Sequence, residues 1–564
     1  MAILDWIVIA IFALALIGII VWVMRQKQNN AADYFLGGKD ATWIAIGASI
    51  FASNIGSEHL IGLAGSGASS GMAMAHWEIQ GWMILILGWV FVPFYSRSMV
   101  YTMPEFLERR FNPQSRTILA TISLISYVLT KVAVTVYAGG LVFQQVFGID
   151  ELWGIDFFWI AAVGLVLITA LYTIFGGMKS VLYTSVLQTP ILLLGSLIIL
   201  VLGLKELGGW DEMMRICSSV KVNEYGDTMV NLIRDNNDAQ YPWLGALIGS
   251  AVIGFWYWCT DQFIVQRVLS GKNEKEARRG TIFGAYLKLL PVFLFLIPGM
   301  IAFALHQKLG SFLPMLPNGL PNSDAAFPTL VAKLLPAGIK GLIVCGILAA
   351  LMSSLASLFN SSAALFTIDF YQRFKPKTDP KKLVKIGQAA TVVIVILGIL
   401  WIPVMRSIGD VLYLYLQDVQ SVLAPGIAAA FLIGIVWKRA SAQGGMWALL
   451  TGLIVGLTRL GAKIYYSNIG VEAGASENPS LFQQIFYDEN WLFFCGWMLL
   501  LCLAVGFIVS LCTKAPDASK IQGLVFGTST PEQRLATRQS WNAWDIVNTV
   551  IILGITVAFY IYFW

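Results

Sequence analysis

The sequence predicts an all-α polytopic membrane protein, and three observations carry this prediction. Of the 564 residues, 57% are hydrophobic and only 12% are charged, and the mean hydropathy is +0.72, a composition outside the soluble range. Apolar runs of roughly 20 residues, long enough to cross a hydrocarbon core, recur along the chain. Basic residues concentrate in alternate loops between these runs, as expected of a chain that crosses a bilayer repeatedly.

The apolar runs predict about fourteen transmembrane helices. In chain order the predicted spans are 4–24, 42–70, 75–96, 118–147, 154–176, 181–204, 243–269, 281–305, 337–370, 384–405, 411–436, 444–465, 491–513 and 543–563.

The distribution of charge between the spans predicts the orientation of the chain. Alternate loops carry clusters such as those around Arg25, Arg109, Arg279 and Lys382, whereas the loop 205–242 dilutes its basic residues with six acids between Asp211 and Asp238. The positive-inside rule places the basic loops in the cytoplasm and therefore both termini outside. An even number of helices agrees with termini on the same side.

Two blocks of five spans, 42–205 and 243–437, each begin with a span that contains polar residues and glycine. Because five is odd, the second block starts from the opposite side of the membrane, which is the layout of an inverted repeat. The segment 1–41 then forms an extra N-terminal helix and loop, and 438–564 forms additional C-terminal helices. In folds of this kind the solute binds at mid-membrane beside the interrupted helices.

The stretch ASNIGSEHLIGLAGSG, residues 52–67, places polar and charged groups inside a predicted span. Such groups survive at membrane depth where they are buried in protein or line a wet cavity. A helix break near Asn54 and Gly56 would free the carbonyls of Ala52 and Ile55, which are natural ligands for a hard cation such as Na⁺. The alternative is that Gly56 and Gly62 only allow close packing of helices.

A second polar stretch, LAALMSSLASLFNSS at residues 348–362, lies deep in a later span. Ser353, Ser354 and Ser357 supply hydroxyl oxygens there, and helical spacing places Ala350 on the same face as the first two serines. The alternative is that these hydroxyls donate to carbonyls of their own preceding turn.

Further polar groups inside the spans suit a polyol, because hydroxyl groups both donate and accept hydrogen bonds. They are Glu58, His59, Glu78, Lys288 and Gln417, and the stretch FWYWCTDQ at 255–262 adds aromatic faces for a sugar ring. Glu78 and Lys288 could instead form a buried structural pair. For Asp261 and Arg267 we favour a role in pinning helices, and Lys131 has no assigned role.

Other classes of function fit less well. Two carboxylates near the proposed site oppose an anionic solute, and no cluster of arginines stands beside them. No catalytic motif for a nucleophile, a metal or a phosphate loop stands in a suitable context, so we expect no enzyme activity and no organic cofactor. The six cysteines are scattered, mostly in apolar runs, and do not form a disulfide or zinc framework. We expect no nucleic-acid partner.

Taken together, the motifs resemble the sodium:solute symporter family, and within it the sodium/glucose cotransporters. The resemblance rests on seven stretches in family order: DYFLGGK (33–39), GASIFASNIGSEHLIGLAGSG (47–67), YTMPEFLERRF (101–111), WYWCTDQFIVQRVLSGKN (256–273), LKLLPVF (287–293), LMSSLASLFNSSAALFTIDFY (351–371) and FLIGIVWKR (431–439). ASNIGSEH and LYLYLQ also look like the sodium/myo-inositol members.

The resemblance implies a leucine-transporter-like core that works by alternating access, with Na⁺ and a small neutral sugar or polyol as cargo. The implied Na⁺ ligands are the backbone oxygens of Ala52, Ile55 and Ala350 with the hydroxyls of Ser353 and Ser354. The implied solute-binding residues are Asn54, His59, Glu78, Tyr257, Trp258, Lys288 and Gln417. Tyr257 is implied as the inner gate and Tyr413 as the outer gate. A cell membrane, plasma or bacterial inner, is the expected location.

Three departures from the family pattern affect these implications. Ser185 stands where many members have aspartate, and Ala356 stands where two-sodium sugar members have threonine. Both positions bear on a second sodium site, so one Na⁺ per solute is expected. Gln80 replaces the usual polar partner after the glutamate and leaves the sugar preference open. We expect glucose or galactose as solute; the alternatives are myo-inositol, another solute, or a sensor that does not transport.

Overall fold

The computed structural model describes residues 2–26, 29–56, 58–316, 319–408, 412–471, 473–474 and 478–564. Helices dominate this part of the chain. The strands within it are β1 (Glu151–Leu152) and β2 (Ile155–Asp156), which pair antiparallel as a short hairpin. The predicted all-α class is therefore confirmed.

The principal helices follow the predicted spans closely. They are α1 (Ile3–Met24), α2 (Trp43–Asn54), α3 (Glu58–Leu63 with Ala64–Ser70), α4 (Gly81–Ile86, Leu87–Phe91 and Val92–Ser98), α5 (Pro113–Ser126, Tyr127–Val132 and Ala133–Phe147), α6 (Phe157–Leu207), α7 (Trp243–Gly254 with Phe255–Thr260), α8 (Gln262–Leu269), α9 (Glu274–Lys288), α10 (Val292–Leu296 with Ile297–Leu309), α11 (Ile339–Ala364 with Leu365–Tyr371), α12 (Pro380–Ile408), α13 (Leu412–Val436), α14 (Ala442–Asn468), α15 (Trp491–Cys512) and α16 (Ala543–Tyr562).

Among the described residues, eleven helical stretches are long and apolar enough to cross a membrane. Two shorter apolar helices, Trp43–Asn54 and Ala133–Gln144, accompany them. The exposed apolar side chains of α1 and α16, such as Ile3 and Ile561, belong against lipid, because these two helices bury little of their surface. The chain is therefore a multi-pass membrane protein.

One element covers two of the predicted spans. Helix α6 has 51 residues and bends at Gly177, whose φ is 54°, a left-handed conformation that side chains with a Cβ rarely adopt. A Cβ at Gly177 would also lie 2.4 Å from the carbonyl oxygen of Tyr34. The bend falls between the predicted spans 154–176 and 181–204.

Two helices are interrupted at their middle. Helix α2 ends at Asn54, and Ile55 is extended (φ −80°, ψ 112°) before α3 begins at Glu58. Helix α7 ends in the π-helical segment Phe255–Thr260, and Asp261 is extended (φ −77°, ψ 129°) before α8. The predicted break between Asn54 and Gly56 is thus present, and a second break lies at Asp261, within the predicted span 243–269.

The interrupted helices lie inside a layer of longer ones. Helix α11 is mostly buried and packs along α6, while α2 packs against α9 and α6, and α13 packs against α14 and α15. Helices α3 and α10 approach so closely that a Cβ at Gly299 would lie 1.9 Å from the Ala64 carbonyl oxygen. Small residues allow this approach between membrane helices.

The stretch 514–541 joins several helix ends. Ser529 accepts a hydrogen bond from Arg97 at 2.8 Å, and the Phe526 amide donates to the Ile435 carbonyl at 2.9 Å. Ser540 donates to the Glu274 carboxylate at 3.1 Å. This stretch therefore ties together the ends of α4, α9 and α13.

Candidate functional site

The site is built around the interruption between α2 and α3. Asn54 is the last residue of α2, and the π-helical turn that follows carries Glu58 and His59. The imidazole Nε2 of His59 lies 3.1 Å from the Asn54 amide nitrogen and 3.2 Å from Glu78 Oε2. The break thus places the His59 ring between the Asn54 amide and the Glu78 carboxylate.

His59 cannot satisfy both contacts at once. Its Nε2 accepts from the Asn54 amide only when unprotonated, and donates to Glu78 only when protonated. Its other ring nitrogen, Nδ1, is buried without a hydrogen-bond partner among the described residues. Because buried polar groups are normally paired, the ring has hydrogen-bonding capacity left for a further group.

Glu78 also receives a charged donor. The Lys288 ammonium on α9 donates to Glu78 Oε2 at 2.6 Å, and both side chains are almost completely buried. The same ammonium lies 5.2 Å from the centre of the Trp258 ring. The buried Glu78–Lys288 pair is therefore real, and it sits where the sequence predicts solute-binding residues.

Gln80 occupies the place beside Trp258. The Trp258 indole donates to Gln80 Oε1 at 3.3 Å, and Gln80 Nε2 donates to the Ser250 carbonyl at 2.7 Å. Gly254 gives Gln80 its space, since a Cβ there would lie 2.4 Å from Gln80 Oε1. The indole is thereby held in one orientation at the edge of the site.

Tyr257 connects the site to the second helix break. Its ring packs edge-on against Trp258 with centroids 4.9 Å apart, and the Lys131 ammonium lies 4.7 Å from its centroid. Lys131 donates to Asp261 Oδ2 at 2.8 Å, and the Tyr127 hydroxyl donates to the other oxygen of that carboxylate. Asp261 therefore fixes the start of α8 to α5, as its expected pinning role requires.

Arg267 behaves similarly at the next turn of α8. Its Nε donates to Ser53 Oγ at 3.1 Å, whereas its two terminal nitrogens are buried without a hydrogen-bond partner among the described residues. The guanidinium lies 5.0 Å from the centre of the Phe263 ring. Arg267 thus ties α8 to the last turn of α2.

All seven side chains implied as solute-binding border one cavity. The lining consists of those seven, Asn54, His59, Glu78, Tyr257, Trp258, Lys288 and Gln417, together with Glu58, Trp77, Gln80, Ile253, Gly254 and Gln420. The cavity measures about 40 Å³, which suits a few water molecules. A hexose-sized solute therefore requires side chains or helices to move.

Two further features of the lining concern amides and the outer gate. Gln417 is buried, and its Oε1 has no hydrogen-bond partner among the described residues. Gln420, which also lines the cavity, lies one turn further along α13 and was not among the predicted residues. Its spacing of three residues from Gln417 could have indicated that the two amides share a helix face. Tyr413, the implied outer gate, lies outside the residues whose side chains the structure describes.

Two of the residues implied as Na⁺ ligands, Ile55 and Ser354, are in contact at the same break. The Ser354 hydroxyl of α11 donates to the Ile55 carbonyl at 3.1 Å and to the Ser53 carbonyl at 3.0 Å. Gly56 leaves room for this hydroxyl, because a Cβ there would lie 2.9 Å from Ser354 Oγ. Ala52 and Ala350, one turn earlier on their helices, are also buried.

Ser353 faces a different neighbour. Its hydroxyl lies 3.3 Å from that of Ser185 on α6, and Ser185 donates to the Val181 carbonyl at 2.7 Å. Ser357, one turn further along α11, lies 2.7 Å from Ser53 Oγ. A set of oxygen atoms from α2, α6 and α11 is thereby concentrated next to the break, and within the described part of the chain no carboxylate hydrogen-bonds to it.

The fold and the site together define a class of protein. Interrupted helices that expose backbone carbonyls beside a polar cavity at membrane depth are the architecture of ion-coupled secondary transporters. The model of the sodium:solute symporter family matches residues 34–452. The chain belongs to the sodium:solute symporter family, and it is a Na⁺-coupled solute symporter with Na⁺ as the co-transported ion.

Comparisons with individual proteins agree with this assignment. The chain is 36% identical over 549 residues to the human sodium/myo-inositol cotransporter 2, covering 93% of this chain and 79% of that protein. It is 36% identical over 558 residues to the human sodium/myo-inositol cotransporter, covering 93% and 76%.

Two solved structures share the fold. A substrate-bound, outward-open Na⁺-coupled sialic acid symporter superposes with a TM-score of 0.72 at 23% identity, covering 92% of this chain and 99% of that one. A nucleobase-cation-symport-1 family transporter in a closed conformation superposes with a TM-score of 0.50 at 14% identity, covering 93% and 99%.

Proposed function

We propose that this symporter carries a small neutral polyhydroxylated ring together with Na⁺ by alternating access. The observation that supports this most strongly is the cavity bordered by side chains of six segments at the α2–α3 break. Those side chains include a carboxylate, an ammonium, amides, an imidazole and an indole. A ring with several hydroxyl groups can use each of them, because every hydroxyl both donates and accepts.

The charges in the cavity favour a neutral solute. Glu78 is paired with Lys288, and Glu58 adds a second carboxylate to the lining. An anionic solute would face these carboxylates without an arginine in the lining to bind it. No covalent step is proposed at this site.

Two solutes are candidates within this class. Myo-inositol stands first, because the two human relatives compared above are sodium/myo-inositol cotransporters. A hexose such as glucose or galactose stands second, on the sequence motifs shared with sodium/glucose cotransporters. Asn54, His59, Glu78, Trp258, Lys288 and Gln417 would bind the hydroxyl groups, with Tyr257 closing the cavity from inside and Tyr413 from outside.

We place the Na⁺ between α2 and α11, with the backbone oxygens of Ala52, Ile55 and Ala350 and the hydroxyls of Ser353 and Ser354 as ligands. The contact between Ser354 and the Ile55 carbonyl supports this placement. A cation there would hold the end of α2 against α11 and so order Asn54 at the cavity. By reciprocity, the solute would raise the affinity for Na⁺ by the same factor.

The proposed topology has fourteen crossings with both termini outside. Two inverted repeats, 42–205 and 243–437, form the core, with 1–41 before it and 438–564 after it. The bend of α6 at Gly177 and the two breaks, each in the first span of its block, support this division.

One Na⁺ per solute is proposed, because Ser185 stands where many family members have aspartate and Ala356 stands where two-sodium sugar members have threonine, and both positions bear on a second sodium site. Moving one charge inward through about 100 mV releases about 2.3 kcal/mol, and a tenfold Na⁺ gradient adds about 1.4 kcal/mol. Together these sustain about 500-fold accumulation of the solute.

Uptake into proteoliposomes tests the proposal. Radiolabelled myo-inositol, glucose and galactose would be compared under an inward Na⁺ gradient and under an equal K⁺ gradient. Accumulation above the outside concentration with Na⁺ alone supports the proposal, and the preferred label identifies the solute. If none of the three labels accumulates, while Na⁺ still stabilises the protein against heating, the solute belongs to another chemical class.

A further inference from the structure

A second cavity lies at the periphery of the helix bundle, away from the transport site. It measures about 480 Å³ and is open to the outside of the helix bundle. Three helices line it. The lining residues include Leu124 and Val128 of α5, Phe366 and Tyr371 of α11, and Ile386 and Val393 of α12. We refer to it as the α5–α11–α12 groove.

The groove is apolar along almost its whole length. Its ten lining residues are aliphatic or aromatic, and Tyr371 carries their single hydroxyl group. In a membrane protein such a surface faces acyl chains, and filling the groove restores the dispersion contacts that its walls lack. The groove itself therefore suits a hydrocarbon chain.

A basic loop stands at one end of the groove. The segment that follows Tyr371 contains six exposed basic residues and one acid, Asp379; the basic residues are Arg373, Lys375, Lys377, Lys381, Lys382 and Lys385. None of the six forms an ion pair within the described part of the chain. Their charge is therefore open to an anionic partner. The positive-inside rule places this loop on the cytoplasmic side.

Two lysines of the basic segment lie on the same face of α12 as residues that line the groove. Ile386 and Ala389 line the groove, and each lies four residues after a lysine of the first two turns of α12, Lys382 and Lys385 respectively. Residues four apart are neighbours on one helix face. Long basic side chains near a helix end extend towards the interface. The two lysines therefore lie on the helix face that lines the groove, one turn closer to the start of α12, at the end where a lipid phosphate would lie.

The opposite wall is basic at the same level. Tyr371 lines the groove from α11, and the Lys375 ammonium lies 5.8 Å from the centre of its ring. Arg373 hydrogen-bonds to Thr117 near the start of α5, the third wall. Basic groups therefore stand at the cytoplasmic end of all three walls.

We propose that the α5–α11–α12 groove binds one anionic phospholipid of the cytoplasmic leaflet. An acyl chain occupies the apolar groove, and the phosphate lies among Arg373, Lys382 and Lys385. Basic clusters next to a membrane helix attract anionic lipids, and the groove adds a fixed position for one molecule. This inference is independent of which solute the protein carries.

The position of the groove gives the lipid a route to the transport site. Val128 faces the groove from α5, while Tyr127 and Lys131 of the same helix hold Asp261 at the break between α7 and α8. A lipid that stabilises the position of α5 therefore also stabilises the start of α8.

Native mass spectrometry of the full-length protein tests the proposal. Phosphatidylglycerol and phosphatidylcholine with the same acyl chains would be titrated separately. We expect one tightly bound phosphatidylglycerol, with about a tenfold or greater preference over phosphatidylcholine. Glycerol phosphate, which has the anion without the chains, should not compete. Equal binding of the two lipids would overturn the proposal.

Two pairs of variants separate the headgroup from the chain. The variant R373Q/K382Q/K385Q should lose the preference, whereas K272Q/K275Q/K514Q, with the same change of charge at exposed positions elsewhere, should keep it. A389F fills the groove and should abolish the tight site, whereas V392F, an exposed position of α12 that does not line the groove, should not.

Folding of each variant would be checked by its stabilisation by Na⁺ against heating. If the charge variants fail this check, the comparison of A389F with V392F still tests whether the groove is the lipid site. An equal loss of preference in R373Q/K382Q/K385Q and K272Q/K275Q/K514Q would show a general attraction of the basic surface. An equal loss of the tight site in A389F and V392F would show that filling the groove has no specific effect. Either result would refute the groove as the site.

Discussion

The ammonium of Lys288 lies 2.6 Å from the carboxylate of Glu78, although 210 residues of chain separate them. His59 approaches the same carboxylate oxygen at 3.2 Å. A charged pair this deeply buried costs desolvation energy that its own attraction often fails to recover. A purely structural role would therefore add little net stability to the fold, whereas binding a solute with several hydroxyl groups gives these two charges a function.

Neutralising the pair separates structure from solute binding. K288M alone leaves the Glu78 carboxylate buried without its cation and should lower stability by about 3–5 kcal/mol. The double variant E78Q/K288M removes both charges and should recover most of that stability. Its solute uptake should stay at least about tenfold below wild type, since hydrogen bonds to charged groups are lost.

Thermal unfolding and uptake kinetics would be measured on the same preparations. Recovery of uptake together with stability in E78Q/K288M would mean that the pair serves the fold alone.

Ser354 should control the response to Na⁺. S354A removes the hydroxyl that contacts the Ile55 carbonyl, and we expect the Na⁺ concentration for half-maximal uptake to rise about tenfold or more, as is typical when groups around a bound metal are removed. The order of preference among solutes should not change.

A matched control lies on the same helix. The Ser362 hydroxyl is buried without a hydrogen-bond partner among the described residues, so S362A should leave Na⁺ activation as it is. Wild-type Na⁺ activation in S354A would remove Ser354 from the ion site.

The number of Na⁺ ions carried per solute follows from a balance of gradients. At zero voltage, a tenfold Na⁺ gradient should be balanced by about a tenfold opposing solute gradient if one ion is coupled, and by about a hundredfold gradient if two are. Proteoliposomes loaded with solute at several concentrations would give the gradient at which net flux vanishes. Balance near a hundredfold would show that the protein binds a second ion without a carboxylate at position 185.

Close packing of α3 against α10 should make Gly299 intolerant of substitution. A Cβ there would lie 1.9 Å from the Ala64 carbonyl oxygen, so G299A must push the helices apart and should cost about 1–3 kcal/mol. G164A is the control, because a Cβ at Gly164 meets no atom within 4 Å, and alanine is the better helix former. Melting temperatures in one detergent would be compared; equal values for the two variants would contradict the packing argument.

Much of this structure could be predicted from local sequence. The predicted span 4–24 corresponds to the helix Ile3–Met24, and the predicted span 444–465 corresponds to the helix Ala442–Asn468. Length and apolar composition determine which segments can cross a bilayer, so such helices can be predicted from local sequence. The break after Asn54 was also predictable, since polar groups with glycine at membrane depth need a place away from lipid. Of the seven residues brought together at the cavity, His59, Glu78, Lys288 and Gln417 were predicted as polar groups inside the spans, and the family resemblance implied all seven.

Contacts between distant segments could not be predicted in the same way. Lys131 had no assigned role because nothing near it in the chain indicates Asp261, its partner 130 residues away. The orientation of Gln80 depends on Gly254 leaving space for its amide, a relation visible only in three dimensions. Roles for the predicted ion and solute ligands, including Ala52, Ala350 and Tyr413, remain predictions.

The small volume of the central cavity affects how affinity should be interpreted. A space of about 40 Å³ cannot hold a hexose-sized solute, so the protein must first adopt a wider shape. The apparent dissociation constant is then the intrinsic one divided by the fraction of molecules in that shape. Substitutions far from the cavity that make the wider shape more common should therefore tighten binding without touching the solute. A tighter-binding variant is consequently no evidence that the altered residue belongs to the site.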